Sequence, residues 1–237
     1  MVNEKRLMAW VLGSLGVVLT GCQGPQRAVG IQKVDSLVSR VERVHYDTEL
    51  AVEGASDAVL ALRQIVQHNF DGPAVDAYAD FIQKLELSET RTDRLRNGVD
   101  PMDRAAGEVY ERWTSDLEAF NSPSMRYRSQ VRRDQTVLRY AELKETINPT
   151  LAALDGFNLA LRDHALFLSN DLNTSSVEIL EPELDGLRVN LTLLEDVATT
   201  TMDAAREYVK SSAPLGQVGE VSEREIESSG DDDDQDR

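Results

Sequence analysis

The chain has few residues placed to do chemistry, and the first is Cys22, the only cysteine among 237 residues. It ends the tetrapeptide LTGC, which follows a basic start and an uncharged run at residues 7–19. An aliphatic residue, two small residues and a cysteine form the pattern of a bacterial lipobox. The small residues suit a peptidase cleft, and the thiolate accepts a diacylglyceryl group. The pattern predicts a signal peptide at 1–21, cleavage between Gly21 and Cys22, and a covalent lipid on Cys22.

A lipid on Cys22 would place the protein on a membrane. The apolar run is shorter than the ~20 residues that a membrane-spanning helix needs, but it suits a signal peptide. A mature bacterial lipoprotein carries about three acyl chains, which hold a protein on a membrane. Gln23 rather than Asp follows Cys22, which favours the periplasmic face of the outer membrane. The alternative is an ordinary secretory signal with an incidental cysteine.

A second pattern is Glu42-x-x-His45, the spacing used by di-iron sites in four-helix bundles. Such a site needs two of these motifs and two further glutamates. The other histidines, His68 and His164, have no glutamate three residues before them. We therefore expect His45 to be a buried polar residue that fixes helix register. Glu42 and His45 are the only candidates for a metal site, and no cofactor is expected besides the lipid on Cys22.

A third feature is a group of arginines in an otherwise acidic chain with a formal net charge of −17. Its members are Arg126, Arg128, Arg132, Arg133 and Arg139. One interpretation pairs them with acids of neighbouring helices, such as Glu42, Asp47, Glu111, Asp116 and Glu118. The other has Arg126, Arg128, Arg132 and Arg133 contact an anionic surface near the anchor. The net charge argues against nucleic acid as a partner.

The elements that must position these residues are helices. Aromatic residues make up 5% of the chain, and no segment alternates as a strand would. Apolar residues instead recur with alternating spacings of three and four, which indicates helices with a buried seam. Four such seams begin at Val34, Tyr78, Tyr140 and Val177 and include Val38, Leu95, Leu154 and Leu191. The third also includes Leu151 and His164.

Turn signals separate the seams. The segments HNFDGP, NSPS and SNDLNTSS break the pattern, and Ser122 with Pro123 is a typical helix start. The segment RNGVDPMD resembles a break, but the seam continues through Asn97–Pro101 in unchanged register. We therefore expect one long helix there, kinked near Pro101, rather than two helices.

These patterns predict an all-α fold, an elongated antiparallel four-helix bundle or coiled coil whose two middle helices are the longest. Its organisation is a signal peptide at 1–21, a lipidated N-terminus and linker at 22–32, a helical domain at 33–212 and an acidic tail at 213–237. The tail has nine acidic residues against Arg224 and Arg237. With few apolar residues, it is predicted to be disordered.

Several short segments resemble a family of bacterial lipoproteins known only as a domain of unknown function, number 2959. They are VGIQKVDSLVSRV after the lipobox, NFDG, Ser88-Glu89, YERW, Pro149-x-Leu151 and LFLSNDLN. The resemblance covers roughly residues 30–205 and implies a helical envelope protein with coiled-coil character. The chain differs at Ser169-Asn170-Asp171, where the family has basic residues and histidine, and in its acidic tail. The resemblance implies no catalytic residues.

The sequence contains no serine and base in a known catalytic pattern, and it contains no glycine-rich phosphate-binding loop. We therefore expect a protein that is not an enzyme: a membrane-anchored helical scaffold, spacer or partner-binding module of the cell envelope. Its partners would be other proteins or further copies of itself, contacted through helical surfaces. The alternative is a ligand- or metal-binding bundle, a sensor or storage protein that uses the histidines of the seams.

Overall fold

The computed structural model describes residues 27–212, which form four α-helices joined by short turns. They are α1 (Arg27–Val66), α2 (Ala74–Glu118), α3 (Pro123–Asn170) and α4 (Thr174–Ser212). The all-α prediction is confirmed, and no strand occurs between residues 27 and 212. The predicted signal peptide at 1–21 and acidic tail at 213–237 lie outside the described residues. The predicted linker at 22–32 lies partly outside them, and its last residues belong to α1.

The four helices form an elongated bundle. Each helix packs against its neighbours in sequence, and α1 also packs against α4. The middle helices have 45 and 48 residues and the outer ones 40 and 39, which confirms that the middle pair is longer. At 1.5 Å per residue the middle helices are about 70 Å long.

Two contacts show how the helices are aligned. His45, in the first half of α1, contacts the carbonyl oxygen of Met202 near the end of α4. Arg132, near the start of α3, contacts the carbonyl oxygen of Ser211 in the last turn of α4. The starts of α1 and α3 and the ends of α2 and α4 therefore lie together, and we call this the N-terminal end of the bundle.

The turns form where the sequence predicts them. In the first turn His68 and Gly72 have φ angles of 52° and 83°, in the left-handed region that glycine adopts at little cost. In the second, the Ser122 hydroxyl accepts a hydrogen bond from the Met125 amide at 3.4 Å, and Pro123 is the first residue of α3. The expected cap at Ser122 is thus confirmed.

Helix α2 is continuous through Asn97–Pro101, as the unbroken seam predicts. Proline has no amide hydrogen, so the carbonyl of Asn97 loses its usual helical partner at Pro101. Asn97 is exposed and Pro101 is only half-buried, so water can replace the missing donor. Pro149 and Pro182 are likewise inside helices, in α3 and α4.

The predicted seams face the bundle axis. Val38, Leu95 and Leu154 are buried and Leu191 is half-buried. The α3 seam is shifted at two turns, because Thr150 and Ala165 are buried where Leu151 and His164 were predicted, and those two are half-buried. Thr150 can be buried because its hydroxyl shares a hydrogen bond of 2.9 Å with the hydroxyl of Thr201 on α4.

Helices α1 and α2 lie especially close together. The α1 face toward the core is rich in small residues, namely Ala51, Gly54, Ala55, Ala58 and Ala61, all of them buried. A β-carbon added at Gly54 would lie 3.0 Å from the Cα atom of Ser88 and 3.1 Å from Cδ of Arg91. Glycine is therefore required at this crossing by the closeness of the α2 backbone.

A buried polar cluster links α2 to α3 inside the core. The hydroxyl of Ser88 donates to Oδ1 of Asn158 at 2.7 Å, and Nδ2 of Asn158 donates to the hydroxyl of Thr92 at 3.1 Å. Buried polar groups are tolerated when each has a partner. Because these partners meet in only one alignment of α2 and α3, the cluster fixes the register of the two helices.

Candidate functional site

The predicted lipidation site lies outside the structure. Gly21 and Cys22 precede the first described residue, Arg27, so cleavage and lipidation at these positions remain predictions. Among residues 27–212, none of the four helices carries an apolar stretch sufficient to span a membrane.

The structure separates the two metal candidates. Glu42 is exposed, whereas His45 is half-buried. The Nδ1–H of His45 donates to the carbonyl oxygen of Met202 at 3.1 Å, so this ring tethers α1 to α4. Within residues 27–212 no group of three or more histidine, cysteine, aspartate or glutamate side chains is arranged to hold a metal ion. His45 is thus half-buried rather than buried as predicted, and its hydrogen bond joins α1 to α4.

Nδ1 of His164 is likewise bound to a backbone carbonyl, that of Ala160 at 2.6 Å. This is a hydrogen bond within one helical turn, and it leaves the ring half-buried beside the core. The His164 contact does not connect α3 to any other helix.

Two arginines of the predicted cluster close helix ends. Nη2 of Arg126 donates to the carbonyl oxygen of Phe120, just after α2, at 2.9 Å. Nη2 of Arg132 donates to the carbonyl oxygen of Ser211, in the last turn of α4, at 2.6 Å. The last carbonyls of a helix, such as that of Ser211, lack partners within it and carry partial negative charge, so a guanidinium group stabilises them.

The predicted pairing of this cluster with acids on adjacent helices is wrong for the arginines that have partners. Arg133 binds the carboxylate of Asp134 at 2.6 Å and the hydroxyl of Thr114 at 2.8 Å. Asp116 pairs instead with Arg112, one turn earlier on α2. Arg128 is exposed. The bound partners of Arg126, Arg132 and Arg133 are instead backbone carbonyls, a hydroxyl and an adjacent carboxylate.

A tyrosine cluster lies near the N-terminal end of the bundle. The hydroxyls of Tyr110 and Tyr208 share a hydrogen bond of 2.9 Å, and that of Tyr140 donates to Oδ1 of Asp103 at 2.6 Å. The rings of Tyr140 and Tyr208 meet edge to face. Burial raises the pKa of all three phenols above the ordinary value. The neutral rings join α2, α3 and α4 through packing and hydrogen bonds.

A polar groove of about 510 Å³ lies between α1 and α2. Its lining includes Arg40, Arg43, Arg94 and Asp47. Asp47 is 2% exposed, and its Oδ2 atom is buried without a hydrogen-bond partner. Burial raises the pKa of this carboxyl, and the nearby positive charges of Arg43 and Arg94 oppose that shift. The burial of Asp47 was not predicted, because Asp47 is not on the predicted seam of α1.

The most unusual surface is on the outside of α3. Every seventh residue of α3 from Val131 onward lies at the heptad position opposite the core. We call these six residues the outer column: Val131, Leu138, Glu145, Ala152, Leu159 and Leu166. All six are exposed, and five of them are apolar. The corresponding residues of α2 are all polar: Gln83, Thr90, Asn97, Arg104, Glu111 and Glu118. Such a position normally faces water and carries polar side chains.

The outer column was not predicted, although its signal is present in the sequence. Tyr140, Leu143, Ile147 and Leu154 are assigned to the core. In each heptad of α3, the residue two positions before the first core residue, such as Leu138 before Tyr140, must then face outward. Val131, Leu138, Leu159 and Leu166 occupy that position.

Comparison with family models gives one match, to the family described as "Protein of unknown function (DUF2959)", over residues 24–212. The match covers all four helices, so the chain belongs to this family, as the resemblance in its motifs predicted. Comparison with curated proteins and comparison with solved structures each gave no match.

Proposed function

We propose that this DUF2959 family member is a lipid-anchored, non-enzymatic helical scaffold of the bacterial cell envelope. The observation that carries the proposal is that the inward side chains of all four helices pack against one another and form the core. Apolar residues fill the core, and buried polar side chains hydrogen-bond in pairs, Ser88 with Asn158 and Thr150 with Thr201. The helices thereby hold a rod about 70 Å long. Such a rod suits a spacer or a support for partner proteins.

The proposed anchor suits this architecture because Cys22 precedes the first residue of α1 by only a few positions. A lipid on Cys22 would hold the N-terminal end of the bundle at the membrane, with the turn at residues 67–73 directed away from it. The arginines at the start of α3 lie at the same end, since Arg132 contacts Ser211. In this orientation the exposed Arg128 would be close to anionic head groups.

Replacement of the predicted lipidated residue tests the anchor. Cys22→Ala should move the protein from the membrane fraction to the soluble fraction and abolish incorporation of labelled palmitate. Gln23→Asp is the matched control, because it keeps the acceptor thiol and should keep both the label and the membrane fraction. Under the sorting rule for the residue after the cysteine, the control should also shift the protein toward the inner membrane. Membrane retention of Cys22→Ala would contradict the proposal.

A further inference from the structure

We infer that the outer column of α3 binds an amphipathic helix of another protein, one that carries lysine or arginine beside its apolar seam. The inference rests on the proposed function, since it specifies how the scaffold holds a partner.

Exposure and spacing distinguish the column from scattered surface residues. Leu138, Leu159 and Leu166 are 63%, 61% and 63% exposed. Single exposed leucines are common on soluble proteins and need no explanation. Here they share one heptad position on a helix of 48 residues. From Leu138 to Leu166 the column is about 42 Å long, which is the length of a partner helix of about four heptads.

The shape of the surface supports a helix as the partner. Beside the middle of the column, α3 and α4 enclose a shallow groove of about 260 Å³. Its lining includes Ala152, Gly156 and Leu193. The small side chains at Ala152 and Gly156 leave room above α3, and Leu193 is itself 58% exposed on α4. An apolar side chain from the middle of a docked helix would enter this groove as a knob enters a hole.

The charges around the column specify the partner's chemistry. Glu145 lies within the column, and Glu142 and Asp163 lie beside it, all three exposed. The neighbouring basic residue Arg162 binds the carboxylate of Glu89 across to α2. From Leu138 to Leu166 the face is therefore acidic along its edges, whereas the basic residues Arg128 and Arg132 lie beside Val131 at its start. Coulomb attraction favours a helix with basic flanks, and a second copy of a chain with net charge −17 would be repelled.

Two synthetic helices test this inference on the purified chain. Both have five heptads with leucine at the seam positions; the flanking positions are lysine in one and glutamate in the other. Fluorescence anisotropy should show binding of the lysine-flanked peptide, weaker at high salt because its charges are screened. The glutamate-flanked peptide should bind at least about tenfold more weakly.

Matched substitutions locate the binding surface. Leu159→Glu should weaken binding of the lysine-flanked peptide at least about tenfold, because it removes an apolar side chain that the docked peptide would bury. Leu60→Glu is the control: Leu60 is 53% exposed on α1, outside the column, and its replacement should leave binding unchanged. Both side chains are exposed in the free bundle, so both variants should keep the wild-type circular dichroism spectrum.

Three results would overturn the inference. If the lysine-flanked peptide did not bind, the outer column would not be a helix-binding surface. If both peptides bound equally, the proposed preference for basic flanks would be wrong. A dimer detected by light scattering and abolished by Leu159→Glu would show that a second copy covers the column. None of these measurements depends on the lipid, so failure of the Cys22→Ala test and failure of this one are distinguishable.

Discussion

Replacement of Gly54 by alanine should destabilise the bundle, although alanine is the better helix former. In an exposed helix interior, glycine is less favourable than alanine by about 1 kcal/mol. At Gly54, however, the new methyl group would meet the backbone of Ser88 at 3.0 Å and the side chain of Arg91 at 3.1 Å. The arginine can move, but the Ser88 Cα atom belongs to α2 and moves only if the two helices separate.

The magnitude follows from two opposing contributions. Inserting a methyl group into a well-packed interior typically costs about 1–3 kcal/mol. Subtracting the gain in helix propensity leaves a net loss of about 1 kcal/mol in the free energy of unfolding. For a domain of this size, that loss lowers the midpoint of thermal unfolding by about 2–4 °C.

The chain supplies its own controls for Gly54→Ala. Gly107 and Gly186 are helical glycines with open space where a β-carbon would be. Gly107→Ala and Gly186→Ala should therefore each raise the free energy of unfolding by about 0.5–1 kcal/mol. Urea denaturation followed by circular dichroism at 222 nm measures all three variants. A gain for Gly54→Ala equal to that of the controls would refute the close approach of α1 and α2.

Two further predictions concern charged residues. Asp47→Asn should raise the stability at pH 7 by about 1 kcal/mol, because it removes a desolvated carboxylate with an unpartnered oxygen. The pKa of Asp47 is raised in the folded state. As the pH is lowered, the wild-type carboxyl is therefore protonated at a higher pH in the folded protein than in the unfolded protein. The extra free energy of unfolding of Asp47→Asn should therefore become smaller as the pH falls through that pKa. Urea denaturation at several pH values measures it, and an increase at acidic pH would contradict the prediction. Arg128→Gln should weaken binding to anionic vesicles about fivefold, while Arg188→Gln on α4 should not, and equal losses in a sedimentation assay would exclude a specific contact at the N-terminal end.

The helices of this protein could be predicted from sequence because their signals are repeated many times. Each seam repeats over several turns, so an error at one position does not change the helix assignment. The continuity of α2 illustrates this, since Val99 and Met102 remain in phase across Asn97–Pro101 although Gly98 and Pro101 locally favour a break. Packing along the whole helix outweighs the local preference.

Individual contacts were predicted less well, because they depend on distances that heptad counting does not contain. The burial of Thr150 in place of Leu151 depends on whether the hydroxyl of Thr201 lies within reach on another helix. The partners of Arg126 and Arg132 depend on where α2 and α4 end. The burial of Asp47 follows from how closely α1 approaches α2, which Gly54 and its neighbouring alanines determine.

The buried polar cluster and the proposed partner surface depend on the same helix register. Asn158 and Leu159 are adjacent in sequence, and one faces Ser88 in the core while the other faces solvent. A slip of one residue in α3 would rotate the helix by about 100°, bringing Leu159 toward the core and separating Asn158 from Ser88 and Thr92. The same slip would bring Lys144, Asp155 and Arg162 to the buried positions of Leu143, Leu154 and Leu161, so the apolar seam keeps the outer column outward. The hydrogen bonds of Asn158 add to this preference, since an unpaired amide in the slipped register would be costly in the apolar core.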